Sequence, residues 1–556
     1  MPSAIFHNGR FFTADRGGAN HAFASCAVVD TDTGLITHVG HEGDSETGGH
    51  GGVTRHDLAG HVVLPGFIDG HMHLLMMGQS LQKCGLEHCK SLADIRATIA
   101  AFAAANPGLP RIMCKGWMHS MTDGQALASM LDDLDPRPIF IDSKDLHSAW
   151  CNTAALAELG VLEDMPDPEG GKIHRDAATG RASGYLTESA AVVIVWPHVA
   201  KVASTQQKLD AIRAAVDAYN AAGYTGLVEM AMDENAWEAL QLLRRTTLAE
   251  TGQPLPMRFA VHWLITPTKT EAANLAQVDR AIALAREYSA AASPDCRVVG
   301  IKIICDGIVD GCTAALTQPY AGPHAGADCA PIWSPAELAP VVRKADAAGL
   351  QCALHAIGDL AIRNAIDALE HHATPGRRHR IEHLELASAA DAARLGRLGI
   401  TASIQPVHAD PAILRAWPAL LGHERCGRAF AYKDFADSGA VLALGSDAPT
   451  APHAPMRNLY TATTRRSARE PDLEDTVNPH FALDLAAAVS AATAGSAYSC
   501  FADAWAGTIT PGKSADFAVV DMHWDKDKLL GSRVVQTWFK GGKVFDVQQQ
   551  QQQQQQ

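Results

Sequence analysis

The sequence contains no apolar run near the ~18 residues that a membrane-spanning helix needs. Its first residues, Met1 to Arg10, lack the apolar core of a secretory signal peptide. The 12 cysteines are scattered from Cys26 to Cys500 without paired spacing, which indicates reduced thiols rather than a disulfide framework. We therefore expect a cytoplasmic protein without a membrane partner.

Positive charge is also scarce. Lys and Arg total 46 against 61 Asp and Glu, which gives a formal net charge of −15. An acidic chain without a basic stripe argues against nucleic acid as the main partner. Apolar residues make up 47% of the 556 residues and charged residues 19%, so the chain can bury a large core.

Short strand-like segments occur at both ends of the chain. They lie at 5–13, 24–29 and 35–39, and again at 516–520, 534–539 and 543–545. Neither end alone has enough strands for a stable sheet. We therefore predict one composite β-sandwich built from residues 1–61 and 501–547. The glutamine run at 548–556 has no apolar residue to bury, so we expect it to be disordered.

The middle of the chain, 62–500, alternates apolar strands with Ala-rich helical stretches, which is typical of βα units. Eight strand candidates lie at 62–68, 225–229, 257–263, 298–305, 351–355, 380–383, 401–405 and 440–445. This pattern predicts an α/β fold, a (β/α)8 TIM-like barrel. The gap after the first strand is far longer than one βα unit, so we expect an inserted lobe at about 80–205 there.

The strongest local motif is the run from Pro65 to His73, where an apolar strand leads into His-x-His. Alternation along a strand places Asp69, His71 and His73 on one face. Two imidazoles so placed can share a divalent metal. Because the chain has 26 histidines, a chance pair is the competing interpretation.

Further metal-ligand residue types fall at the ends of other predicted strands. His355, His383 and Asp447 each lie at or just beyond a strand end, and Lys302 lies within the strand at 298–305. Barrel enzymes carry their catalytic groups at this end of the barrel. We therefore expect these side chains to converge, with Asp69 orienting a ligand histidine.

Lys302 has two interpretations. Burial beside metal ions would lower its pKa, and the neutral amine could take up carbon dioxide as a carbamate that bridges two metals. Alternatively, Lys302 is an ordinary lysine paired with Asp306 or another carboxylate.

Weaker candidates for substrate binding lie in loops and in the lobe, where packing or a solvated charge is the alternative. They are Trp117, His147, Trp150, Glu188, Asp306, His408 and Asp410.

The segment 507–514, GTITPGKS, matches the phosphate-loop pattern. A phosphate loop needs a preceding strand and a following helix, whereas residues 515–520 are strand-like. We therefore interpret the segment as a turn and not as a nucleotide site.

Taken together, the motifs PGFIDGHMH, VVGIKIICDG, CALHAIGDLAI, RIEHLE and ALGSDAP resemble those of the amidohydrolase superfamily of metal-dependent hydrolases. More narrowly, the chain resembles the branch that contains N-substituted formamide deformylase. GWMHSMTDG, IDSKDLHSAWCNTAAL and SGYLTESA extend this resemblance into the lobe, and GTITPGKSADFAVVD extends it into the C-terminal sandwich.

The resemblance implies that His71 and His73 hold one metal, that His355 and His383 hold a second, and that Lys302 is a carboxylated bridge. It further implies that Asp447 is a ligand and proton shuttle, with Asp447, His383 and Lys302 as the catalytic groups. One or two divalent ions are expected, with zinc best suited to these ligands. The family also suggests a homodimer.

The resulting hypothesis is hydrolysis of a C–N bond in a small-molecule amide, such as an N-substituted formamide or a cyclic amide. Metal-activated hydroxide would attack the carbonyl, and Asp447 would carry the proton to the leaving amine. Ester hydrolysis or deamination at the same centre is an alternative, because a fold does not fix a function. A non-catalytic barrel that keeps metal or ligand binding is another.

Overall fold

The computed structural model describes residues 3–14, 23–44, 53–144, 148–161, 165–168, 171–177, 179–188, 190–322, 325–326 and 329–554. Its contacts divide the chain into two compact units. The barrel unit comprises Met1–Leu74, Val216–Asp233 and Arg244–Gln556, and the inserted unit comprises Leu75–Ala215 and Glu234–Leu243.

The strands, in chain order, are β1 Ser3–His7, β2 Arg10–Phe11, β3 Cys26–Asp30, β4 Leu35–Gly40, β5 Thr54–Asp57, β6 Val62–Pro65, β7 Phe67–Met72, β8 Cys84–Gly85, β9 Ile112–Trp117, β10 Ile139–Ser143, β11 Ser148–Cys151, β12 Gly171–Arg175, β13 Ala182–Glu188, β14 Tyr224–Met232, β15 Arg258–Ile265, β16 Cys296–Ile304, β17 Gln351–Ala356, β18 Arg380–His383, β19 Thr401–Ile404, β20 Leu442–Leu444, β21 Phe517–Asp521, β22 Arg533–Phe539 and β23 Gly542–Asp546.

The α-helices are α1 Leu74–Gln82, α2 Leu92–Ala105, α3 Thr153–Leu159, α4 Trp196–Val202, α5 Thr205–Ala221, α6 Glu234–Thr251, α7 Glu271–Glu287, α8 Pro335–Ala347, α9 Asp359–His372, α10 Ala389–Leu398, α11 Trp417–Leu421, α12 His423–Cys426, α13 Tyr432–Asp437, α14 Pro455–Thr464, α15 Leu485–Ser490, α16 Ser496–Ser499 and α17 Val547–Gln554.

The predicted barrel is confirmed. Eight strands of the described chain form one parallel sheet in the order β7, β14, β15, β16, β17, β18, β19 and β20. A parallel bridge between Met72 and Ala448 joins the first strand to the segment after the last. Helices separate successive strands, as the Ala-rich stretches predict.

The segment predicted as one barrel strand, 62–68, in fact contributes to two sheets. β6 pairs with β21 in the sandwich, and β7 starts the barrel. The pairing partner changes at Gly66, whose N–H donates to Asp516 O at 2.8 Å. A Cβ at Gly66 would lie 2.3 Å from Thr225 Oγ1, so only glycine fits at the position where the chain passes from one sheet to the other.

Both chain ends build the sandwich, as predicted. One sheet has the order β4, β3, β1, β5, and the other has the order β2, β6, β21, β22, β23. The GTITPGKS segment leads into β21 rather than into a helix. A core of aromatic and aliphatic residues that includes Phe6, Phe517 and Trp538 joins the two ends of the chain.

The inserted unit follows the first barrel strand, where the sequence predicts a lobe. It carries its own six-stranded sheet, within the described residues, in the order β12, β13, β11, β10, β9, β8. Two apolar clusters pack within this unit, and one of them contains Trp117 and Trp150.

The glutamine run, which we expect to be disordered, forms α17 in the structure up to Gln554. Glutamine is a good helix former because its straight side chain loses little freedom in a helix. Asp546 Oδ1 also accepts the Gln548 N–H at 2.9 Å, which satisfies one donor at the start of the helix. Among the helices described, none combines the length and apolarity required to cross a bilayer.

Candidate metal centre

The barrel closes at the position of the His-x-His motif. Asp447 N–H donates to His71 O at 2.7 Å, and His73 N–H donates to Ala448 O at 2.9 Å. Backbone pairing between the end of β7 and the segment after β20 therefore brings residues 71 and 447 together, although they are far apart in sequence.

Three of the predicted ligands converge at this closure. One ligand atom each from His71, His383 and Asp447 lies within 4.8 Å of the others, and all three residues are buried. His383 and Asp447 have φ angles of 75° and 56°. Such left-handed conformations are uncommon for non-glycine residues and cluster at functional sites.

A carboxylate fixes the ring of His71. His71 Nδ1 lies 2.7 Å from Glu382 Oε2, and Arg380 Nε donates to Glu382 Oε1 at 2.6 Å. Burial raises the pKa of Glu382, but Arg380 and His71 outweigh it and hold this pKa well below its usual range. An ionised carboxylate only accepts, so His71 Nδ1 carries the proton of this hydrogen bond, and Nε2 is the ring nitrogen that lies toward Asp447.

Asp447 is ionised for a similar reason. Its Oδ1 lies 3.4 Å from His71 Nε2 and 3.0 Å from His73 Nε2. Burial raises the pKa of Asp447, but the two histidines lower it well below its usual range. The buried carboxylate can therefore coordinate a cation or accept a proton at neutral pH.

His355, the remaining predicted histidine ligand, also lies at this end of the barrel. Its ring centroid is 4.4 Å from that of His383, and its Nε2 is 3.4 Å from Gly307 O. Burial lowers the pKa of His355 to about 3 and that of His383 well below its usual range. Both rings are thus neutral and keep a lone pair for a metal.

Lys302 is buried on the neighbouring strand β16, with only 2% of its surface exposed. Burial lowers its pKa to about 8, although the charges of Glu382 and Asp447 oppose this shift. Lys302 also lowers the pKa of His355 and of His383 by charge repulsion. Its side chain therefore lies within electrostatic reach of the cluster.

Asp69 positions backbone around the cluster. Its Oδ1 accepts N–H donors from His71 at 3.2 Å and from Ser446 at 2.8 Å. Its Oδ2 accepts the hydroxyls of Tyr219 and Ser446. Asp69 thus ties the His-x-His strand to the segment that carries Asp447.

Asp306 holds a loop beside the centre. It accepts backbone N–H donors from Ala315, Ile357 and Gly358, and its Oδ1 lies 3.5 Å from His355 Nε2. These bonds fix the turn between His355 and helix α9, and Asp306 is fully buried.

His408 lies between two carboxylates. Its Nδ1 is 3.5 Å from Glu385 Oε1, and its Nε2 is 3.7 Å from Asp447 Oδ2. Burial lowers the pKa of His408, but Glu385 and Asp447 outweigh it and raise this pKa. His383, Glu385 and His408 form a second group with one ligand atom each within 4.8 Å, which the sequence did not predict.

Asp410, another predicted substrate contact, is buried with 1% exposure. It accepts the N–H groups of Ala412, Ala468 and Arg469. These bonds join the loop after β19 to residues 468–469. The Asp410 carboxylate thus binds backbone N–H groups in this structure.

The remaining predicted substrate contacts lie in the inserted unit. Trp117 and Trp150 have no exposed surface, and their rings lie 5.3 Å apart in its core. This full burial agrees with packing in the core, which was the alternative to substrate binding for both residues. The backbone of Glu188 ends strand β13, whereas its side chain and the whole of His147 lie outside the described part of the chain.

Three acidic residues near the centre were not predicted from the sequence. Glu382 and Glu385 flank His383 in the RIEHLE motif, and Glu229 Oε1 lies 4.0 Å from His73 Nδ1. Glu229 falls at the end of the second predicted strand, the same criterion that selects His383. Applying that criterion to carboxylates as well as histidines would have found it.

The donor set fits a divalent metal ion. Several buried side-chain nitrogens in the described residues have no hydrogen-bond partner, and two of them, His71 Nε2 and His383 Nδ1, belong to this cluster. Unpaired buried nitrogens are costly, and neutral imidazoles with a carboxylate are ligands suited to such ions. The residues that would hold an ion are His71, His73, His383 and Asp447, with His355 and Lys302 beside them.

A (β/α)8 barrel with a cluster of histidines and a carboxylate at the carboxyl ends of its strands is the arrangement typical of metal-dependent barrel enzymes. Comparison with known sequences then gives the family. The profile of the amidohydrolase family matches residues 56–545. The chain therefore belongs to the amidohydrolase family, and this membership indicates a hydrolase.

Individual relatives cover nearly the whole chain. Protein LONG AFTER FAR-RED 3 of Arabidopsis thaliana is 29% identical over 563 residues, 96% of this chain and 90% of the relative. N-substituted formamide deformylase of Arthrobacter pascens is 24% identical over 529 residues, 89% of this chain and 90% of the relative. The latter similarity agrees with the branch that the motifs indicate.

A solved structure shares the fold. An uncharacterized metal-dependent hydrolase from Pyrococcus horikoshii matches with a TM-score of 0.76 at 22% identity, over 94% of this chain and 98% of that chain.

Proposed function

We propose that this amidohydrolase cleaves the C–N bond of a non-peptide amide and that N-substituted formamides are among its substrates. The placement of Asp447 carries the proposal, because one ionised carboxylate contacts His71 and His73 at the proposed ligand cluster. The similarity to a formamide deformylase supports the choice of substrate class.

Asp447 supplies the proton transfers. A bound divalent ion lowers the pKa of water and polarises a carbonyl oxygen. The ionised Asp447 carboxylate accepts the proton of the attacking water. It then returns this proton to the amide nitrogen, which is a poor leaving group until it is protonated. The pair Glu382 and Arg380 keeps His71 in the tautomer whose Nε2 faces Asp447.

We also propose that Lys302 is carboxylated. The neutral amine would form an N–C bond with carbon dioxide and release one proton, which leaves a carbamate anion. The burial of Lys302 and its pKa of about 8 support this, because a large fraction of the amine is neutral near that pH.

The test is an assay of amine release. Purified protein, supplied with Zn²⁺, is incubated with N-alkyl formamides, N-alkyl acetamides, a dipeptide and a matched ester, and amine release or ester cleavage is followed by NMR. We expect release of amine and formate from formamides and a loss of about 10²–10⁴-fold in the isosteric variant Asp447→Asn. Cleavage of the ester alone, or full turnover by Asp447→Asn, would contradict the proposal.

A further inference from the structure

Two large apolar side chains are exposed beside the end of barrel strand β16. Ile304, its last residue, is 37% exposed, and Ile332 is 48% exposed, whereas Ile303 and Cys305 are buried. We call Ile304 and Ile332 the isoleucine pair.

The strand register places Ile304 on the face that carries the centre. In the pairing of β16 with β17, Lys302 is opposite Ala353 and Ile304 is opposite His355. Residues two apart along a strand share a face, and partners in register on neighbouring strands share that face as well. Ile304 therefore lies on the same face as Lys302 and His355, level with His355 and one step nearer the open end of the barrel than Lys302.

A backbone hydrogen bond brings Ile332 to the same strand end. Ile332 N–H donates to Cys305 O at 2.8 Å, and Cys305 N–H donates to His355 O at 3.0 Å. The backbone of Ile332 is thus joined to the residue that follows Ile304. Trp333, which is 1% exposed, anchors this stretch of the loop.

We propose that the isoleucine pair binds an apolar substituent on the amide nitrogen of the substrate. This inference rests on the proposed amide hydrolysis and names its substrate class. A ligand alkyl group that covers these side chains removes apolar surface from water on both partners. A charged substituent would lose hydration there without gaining an ionic partner from the pair.

This assignment differs from the sequence-based one. The sequence suggests Trp117 and Trp150 as apolar contacts, but both rings are fully buried in the inserted unit. The isoleucine pair instead offers exposed apolar surface within the barrel unit.

The experiment measures chain-length selectivity. N-methyl, N-butyl and N-hexyl formamide are compared by kcat/KM with the Zn²⁺-loaded full chain. We expect about two- to fourfold gain per added methylene in the unmodified protein. Ile304→Thr and Ile332→Thr keep the branched shape and should flatten this gain to less than about twofold.

Matched variants control for non-specific effects. Leu248→Gln removes an exposed apolar side chain of 53% exposure from helix α6 and should leave selectivity unchanged. Ile304→Val, which stays apolar, should retain most of the gain. Equal selectivity in Ile304→Thr and the unmodified protein would overturn the inference, as would no chain-length dependence in the unmodified protein.

Direct binding separates this inference from the proposed function. Titration calorimetry of the same formamides should give a Kd that falls with chain length, and Ile304→Thr should abolish this trend. If the trend holds while no amide is cleaved, the isoleucine pair stands and the proposed hydrolysis fails. If amides are cleaved and the trend is absent, the isoleucine pair fails and the hydrolysis stands.

Discussion

Asp447 and His71 are joined twice at the barrel closure, once through backbone and once through side chains. The Asp447 N–H donates to His71 O at 2.7 Å, and Asp447 Oδ1 lies 3.4 Å from His71 Nε2. The hydrogen bond that closes the barrel therefore also sets the distance between the proposed base, Asp447, and the proposed metal ligand, His71. The contacts that close the barrel here therefore also assemble this part of the centre.

Neutralising Glu382 should weaken metal binding. Glu382→Gln removes the charge that holds His71 Nδ1–H and makes His71 a poorer ligand. We expect the affinity for Zn²⁺ to fall about 10–100-fold, measured by competition with a chromogenic chelator. The surface variant Glu470→Gln makes the same change of charge away from the centre, and an equal loss there would remove the specific role of Glu382.

Removing Arg380 should destabilise the fold. Arg380 is fully buried and donates to Glu382, to Gly70 O and to the hydroxyls of Ser403 and Ser499. Arg380→Met leaves the Glu382 charge uncompensated, at a cost of about 3–5 kcal/mol. Urea unfolding measures this loss. Combining Arg380→Met with Glu382→Gln should recover part of the stability, whereas purely additive losses would exclude coupling between the two residues.

Carboxylation of Lys302 should increase with pH in metal-free protein. The folded pKa of Lys302 is about 8, so below that pH the ammonium form dominates and cannot attack carbon dioxide. Above it, the neutral amine can. With ¹³C-labelled bicarbonate, a carbamate carbonyl signal should grow between about pH 7 and 9 and be missing in Lys302→Arg. A signal that stays constant across this range, or persists in the variant, would exclude Lys302 as its source.

Chelation should lower thermal stability. An ion that binds only the folded state stabilises it by about 4 kcal/mol when its free concentration is 1,000-fold above Kd. The Tm of the unmodified protein should therefore fall on dialysis against EDTA and recover with Zn²⁺. His71→Ala should show a much smaller response, and an equal response in both proteins would place the ion elsewhere.

The strand ends that carry the candidate ligands could be predicted from sequence because apolar runs and histidines mark them. The predicted strand at 380–383 coincides with β18, and 351–355 differs from β17 by one residue. What sequence patterns did not supply is the change of sheet at Gly66, which depends on contact with Asp516 and Thr225. These two contacts join Gly66 to residues 159 and 450 positions further along the chain (225 − 66 and 516 − 66).

The carboxylates of the centre show a second limit. Glu382 and His383 are adjacent, so strict alternation would place them on opposite faces of the strand. The φ of 75° at His383 breaks this alternation and brings both side chains to the centre. A local pattern cannot predict such a backbone change, because the packing of the whole barrel end maintains it.

Metal content per chain is the decisive measurement for the candidate centre. Plasma mass spectrometry is applied to chain purified without chelators, and to His71→Ala and His383→Ala prepared in parallel. We expect at least one divalent ion per chain in the unmodified protein and near-complete loss in both variants, with the fold retained by circular dichroism. A metal-free unmodified protein that does not take up added Zn²⁺, or variants that keep the full content, would contradict it.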